Sequence, residues 1–210
     1  SSLGFYIMDE PDVRDYSSGG LGSTAPELLR RINFIRDYVE WKPFFLAIDN
    51  TYRPANWWVY SEIADINIGH RYPVPGGFEG ELSHPAIART VALASSPRPT
   101  YNIVKFFDYP PGSSSLKGRE ARLPTEEEMY IQVVMALSKG AKGISYYIHS
   151  GSKVWCGGSS KELWDYVGKL NEMITFLSPY TSIADWAGSG RVISGDVDVD
   201  YLLSADERVL

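Results

Sequence analysis

The chain has 210 residues, 44% of them hydrophobic, which is enough for one domain with a sizeable core, or for one domain and part of a second. A net charge of −6, a pI near 5.1 and the lack of any basic block argue against a nucleic-acid or anionic-membrane surface. No apolar run approaches the roughly 20 residues of a membrane span, and a lone Cys156 gives no intramolecular disulfide framework.

The opening Ser1-Ser2-Leu3 runs straight into an apolar strand, the start expected of a cut chain rather than a natural terminus. That strand, GFYIM (4–8), stops at Asp9-Glu10-Pro11. Strict alternation puts Tyr6, Met8 and Glu10 on one face and turns Asp9 to the other, unless the strand bends there. Thr24 with Glu27 reads as a capping box. Leu28, Leu29, Ile32, Ile35 and Val39 follow at helical spacing. FFLAI (44–48) is a strand ending at Asp49-Asn50. A short helix is predicted over 56–64 and a strand, DINIG, over 65–69, ending at His70-Arg71-Tyr72. A helix over 84–94 precedes a strand over 101–107, with Lys105 and Asp108 at its end. The segment 124–140 reads as a helix, opened by a Thr125/Glu128 capping box and stopped at Gly140. GISYYI (143–148) is a strand ending at His149. A helix follows over 159–177, with Ser159 and Glu162 as a third box. After Gly188 the rhythm changes, and 191–203 reads as short strands of an antiparallel β domain that is only begun. The predicted division is therefore 1–188 and 189–210.

Strands alternating with helices predict an α/β fold with a parallel sheet. Two architectures fit: an open doubly wound sheet, and part of a (β/α)8 barrel. Five units suffice for the open sheet. Polar residues at every strand end suit a barrel mouth, although open sheets bind ligands at the same edge. No G-x-G-x-x-G or P-loop pattern is present, so no nucleotide cofactor is expected. Three scattered histidines without H-E-x-x-H, and no cysteine pair, predict no metal site. No serine lies in a G-x-S-x-G elbow. Tryptophan and tyrosine recur in loop-like stretches, at 56–60, 153–158 and 184–188. Such rings serve either as sugar-stacking platforms or as ordinary packing.

Five segments taken in order bring a family into view: FYIMDEPD, KPFFLAID, ADINIGHRYPV, RPTYNIVKFFDY and LPTEEEMYIQVVMALSKGAKGISYYI. Together they resemble the second half of glycoside-hydrolase-type TIM barrels, over residues 3–180. GAKGISYY with the upstream PTEEE is the most specific part. The resemblance implies strands four to eight of a barrel. Strands one to three would come from the rest of a longer chain or from another chain. A C-terminal β-sandwich would then begin near residue 191. It also implies a carbohydrate substrate or ligand, an extracellular location, and neither nucleic-acid nor membrane partners.

By the same resemblance Glu10 is the general acid/base. A retaining glycosidase needs a second carboxylate about 5 Å away, and an inverting one needs it roughly 6.5–9.5 Å away. The strand-seven position that holds the nucleophile in retaining relatives carries Lys105 here. A lysine cannot serve as glycosyl nucleophile, and beside Glu10 it would lower the acid's pKa, the wrong direction for a general acid. Three readings follow. Asp108 is the second carboxylate; or Asp9 and Glu10 act as the pair of substrate-assisted hexosaminidases; or the barrel binds glycan or serves as scaffold without catalysis. Asp49, His70, Tyr72, Lys105, His149 and Trp155 are the expected substrate-binding residues, with Trp57 and Trp58 as further stacking candidates.

Overall fold

A computed structural model describes residues 3–13, 24–39, 42–48, 55–70, 72, 83–116, 118, 120–148, 155–191 and 198–204. Five parallel strands form its centre: β1 (Phe5–Met8), β2 (Phe44–Ile48), β3 (Ile66–His70), β4 (Thr100–Lys105) and β6 (Gly143–Tyr147). Their order in the sheet, β1-β2-β3-β4-β6, is their order in the chain. A two-residue strand β5 (Phe107–Asp108) pairs antiparallel with β7 (Trp155–Cys156). A hairpin of β8 (Asp185–Arg191) and β9 (Asp198–Leu203) follows. The helices are α1 (Ala25–Arg36), α2 (Ala55–Tyr60), α3 (Ser83–Ser95), α4 (Glu126–Ser138) and α5 (Lys161–Thr181).

Alternation along the strands separates two faces. On one face Phe44, Leu46 and Ile48 of β2 pack with Leu28 and Ile32 of α1, Trp57 and Tyr60 of α2, and Ile87 and Val91 of α3. On the same side Val104 and Phe106 meet Met129 and Val133 of α4, and Leu163 and Val167 of α5. Gly69 of β3 backs onto α3 so closely that an added Cβ would stand 3.2 Å from Val91. A glycine there lets helix and strand approach. The opposite face carries Ala47, Ile68 and Ile103, flanked by Phe45, Tyr72 and Tyr101. All the helices in these clusters thus cover one side of a sheet whose order never reverses. A doubly wound sheet has helices on both faces and a switch point. Neither feature occurs among the described residues.

Local signals set the helix ends. Thr125 accepts a hydrogen bond from the Glu128 N–H at 3.2 Å, and Glu128 accepts one from the Thr125 N–H at 2.9 Å, a complete capping box. At the other end of α4, Gly140 has φ +102. Its N–H reaches Leu137 O at 3.0 Å, and the Ala141 N–H reaches Ala136 O at 3.1 Å. These two bonds make a Schellman stop. Thr125→Ala is expected to lower stability by about 1 kcal/mol, read from the midpoint of urea unfolding.

Two expected caps differ. Thr24 precedes α1 in extended backbone but its side chain makes no cap bond. Helix α5 is capped by Ser160, not Ser159: the Ser160 hydroxyl accepts from the Leu163 N–H at 3.3 Å. Two adjacent serines offer the same chemistry, and the first residue to turn helical decides between them. The C-terminal strands pair as expected, but the hairpin begins at Asp185, ahead of the predicted boundary at 188. Among the described residues no helix is long and apolar enough to cross a membrane.

Candidate functional site

Parallel strands place their C-terminal ends together, so Asp9 and Glu10 after β1, Tyr72 after β3, Lys105 at the end of β4 and Tyr147 at the end of β6 share one rim. The alternation expected along β1 fails there. A bulge interrupts its register with β2 between Tyr6 and Met8. Met8 consequently joins Phe5 and Ile7 against the helix-side core. Asp9 is carried to the Tyr6 face instead, where its carboxylate accepts the Tyr6 hydroxyl at 2.7 Å. Glu10 follows with φ +46, a left-handed backbone that ordinary side chains seldom adopt. Its N–H bonds Ala47 O at 3.2 Å. The strand thus bends where straight alternation would have turned Asp9 away from the Tyr6 face.

The Tyr6 phenol reports on this corner. Its pKa is raised well above the ordinary tyrosine value. Burial is the largest cause, then the bond to Asp9, then the negative charges of Asp9 and Glu10. The phenol therefore stays protonated through the neutral range and donates to Asp9 there. Tyr147, at the far edge of the sheet, acts on Tyr6 in the same direction.

Lys105 and Asp108 occupy the middle of the rim but look inward. The Lys105 ammonium bonds Asp108 at 3.1 Å, and the two side chains are 5% and 0% exposed. The other Asp108 oxygen accepts the Arg122 N–H at 2.5 Å. Arg122 in turn makes a two-pronged ion pair with Glu128, at 2.8 and 2.6 Å. Burial lowers the Lys105 pKa, and the Asp108 charge, which raises it, does not fully compensate. A fully buried carboxylate with both oxygens engaged cannot face a substrate across an open cleft. Asp108 is therefore corrected from candidate second carboxylate to structural anchor. Lys105 is likewise paired with Asp108, not with Glu10, so it does not lock the proposed acid.

Tyr72 lies among rings: 5.0 Å from Phe107, edge-on, and 6.0 Å from Tyr147, stacked. Phe107 also meets Tyr147 and Tyr109 edge-on. The sequence reading did not single out Tyr6 and Tyr147, which are 52% and 43% exposed on this face. The adjacent tyrosines of GISYY could have pointed to Tyr147, since alternation sends one of them to each face; Tyr146 joins the helix-side core. Asp12, just past Glu10, is fully buried. Trp57 is buried beneath α2, which removes it as a stacking platform, whereas Trp58 is half exposed. Asp49 and His149 lie outside the described residues, as do the side chains of His70 and Trp155. Among the described residues no group of three His, Cys, Asp or Glu side chains is arranged to hold a metal ion.

No protein-family model matches the chain, and no curated protein matches it.

Proposed function

We propose that this chain is the acid-bearing part of a glycoside hydrolase, strands four to eight of a (β/α)8 barrel, acting on an oligo- or polysaccharide outside the cell. Glu10 is the general acid/base. Asp9 holds the acetamido group of a 2-acetamido sugar. The observation that carries this reading is the bulge in β1, which brings Asp9 onto the Tyr6 face, where Glu10 also acts on the phenol.

Several features support the barrel. Strand order is consecutive and the helices lie on one side. Among the described strands β1 and β6 each keep one unpaired edge. The flanking helices expose Phe34 and Tyr38 beside α1, and Trp164 and Phe176 on α5. Three further βα units, from the same longer chain or another, would cover these edges and aromatics.

The chemistry follows from the pair. Glu10 protonates the departing glycosidic oxygen. The acetamido carbonyl oxygen of the substrate attacks the anomeric carbon as that bond breaks. Asp9, held by the Tyr6 hydroxyl, accepts the acetamido N–H and stabilises the positive charge that develops. Water then opens the cyclic intermediate, with Glu10 as base. This scheme needs no second enzymic nucleophile, and so tolerates Lys105 at that position.

The burial of Asp108 also favours a second reading, a non-catalytic carbohydrate-binding protein. Hydrolysis of aryl 2-acetamido-glycosides by the native full-length protein separates the two. Glu10→Gln and Asp9→Asn are each expected to reduce kcat at least hundredfold. Wild-type protein that binds these sugars without cleaving them would establish the second reading.

A further inference from the structure

At the opposite end of the sheet, a pocket of about 400 Å³ opens between the C-terminal part of α3, the start of β4 and the start of β8. Arg89, Arg98, Thr100, Lys142, Asp185 and Trp186 line it. Two of its three cations are answered. Lys142 gives its ammonium to the carbonyls of Thr181 and Ala184 and to Asp185. The carbonyls belong to the open C-terminal end of α5 and to the turn after it, so Lys142 also offsets that helix end. Arg98 pairs with Glu62.

Arg89 is different. Its guanidinium lies over the Trp186 ring, 4.3 Å from the centroid. Stacking covers a face of the guanidinium and leaves its in-plane N–H donors at the edges. Among the described residues its buried Nε has no hydrogen-bond partner. Burial disfavours the charged form of Arg89, and the nearby Asp185 charge opposes that effect. A buried N–H donor left without an acceptor is costly, and in a folded protein a bound ion is among its standard explanations. The local charges also leave room for an anion, since among the described residues lining the pocket three cations accompany one carboxylate, Asp185.

We propose that this pocket binds a small ligand through an oxyanion, the phosphate of an ester or a carboxylate, with the Arg89 guanidinium as its main anchor and Trp186 as the plate that orients it. The planar fork of arginine matches both groups. The pocket opens at the N-terminal end of β4, whereas Asp9 and Glu10 follow the C-terminal end of β1, so the two lie at opposite ends of the sheet. It is thus separate from the proposed glycosidic chemistry and stands or falls independently of it.

The test is calorimetric titration of the 210-residue chain with sodium phosphate and, separately, sodium acetate, ionic strength being held constant with sodium chloride. Saturable one-site binding is expected in at least one arm. Arg89→Gln should weaken it at least tenfold, and Arg31→Gln, on α1, should leave it unchanged. Phosphate alone would assign a phosphate ester, and acetate alone a carboxylate. The Arg89 Nε–H resonance of the wild-type chain should shift along the same saturation curve, which keeps the test open if Arg89→Gln fails to fold. Absence of saturable binding to either anion, binding that Arg89→Gln leaves intact, or a resonance that does not move would overturn the proposal.

Discussion

Asp108→Ala is expected to lower the free energy of unfolding by about 3–5 kcal/mol, the cost of leaving a buried ammonium without its partner. Lys105 is 4% exposed and Asp108 is fully buried, so water cannot replace the lost carboxylate. The substitution also strips an acceptor from the Arg122 N–H. The double variant Lys105→Met/Asp108→Ala should recover part of the loss, because it removes the orphaned charge along with its partner. Urea unfolding of the wild type, both single variants and the double variant gives the coupling directly. A loss below about 1 kcal/mol for Asp108→Ala would be the value of a solvent-exposed pair, and would contradict the buried arrangement.

The same pair accounts for a lysine that is buried at the end of β4. Lys105 belongs to a network that ties the end of β4 to the start of α4. Its N–H donates to Gln132 at 2.9 Å, and Gln132 donates to Glu128 O at 3.2 Å. Asp108 reaches Arg122, and Arg122 reaches Glu128, which completes the capping box of α4. Charge here fixes a strand end against a helix start.

Local chemistry was readable in the sequence, and long-range geometry was not. The Thr125/Glu128 box and the Gly140 stop follow from neighbours three or four residues apart, and both form as read. The alternation of strands and helices gave the parallel sheet for the same reason. The bulge in β1 left no mark, since FYIM contains no glycine, proline or polar residue to signal it, and one extra residue was enough to exchange the faces of Met8 and Asp9. The Lys105–Asp108 contact was hidden differently. Residues three apart on an unbroken strand point to opposite faces, so the pair looked divided. The ladder instead breaks at Phe106, between β4 and β5, and the chain's change of direction lets the two side chains meet.

Acidification is expected to loosen the β8–β9 hairpin from the helices, with Asp200 as the responsible group. Burial alone would raise the Asp200 pKa. Hydrogen bonds from Lys139, Ser189, Ser138 and Trp186 outweigh it and hold the pKa at about 2, below the ordinary 3.8. A depressed carboxylate contributes stability that is fully present above its unfolded pKa and is lost as pH falls through the folded one. The contribution should therefore be complete above about pH 5, decline below 3.8 and vanish beneath about pH 2. Other carboxylates titrate in the same range, so the measurement is the difference in unfolding free energy between wild type and Asp200→Asn at each pH. That difference should shrink toward zero on acidification, whereas one that stayed constant from about pH 5 to 2 would show that Asp200 carries no charge-dependent bond. The hairpin is the segment to watch because ionic and cation–π contacts tie it to the helices. Asp200 bonds Lys139 at the end of α4, and Trp186 lies between the Arg89 and Lys139 cations. Protonating one carboxylate there leaves Lys139 unpaired beside a second cation, so the loss should be felt first as movement of Trp186, seen in its fluorescence before the sheet unfolds.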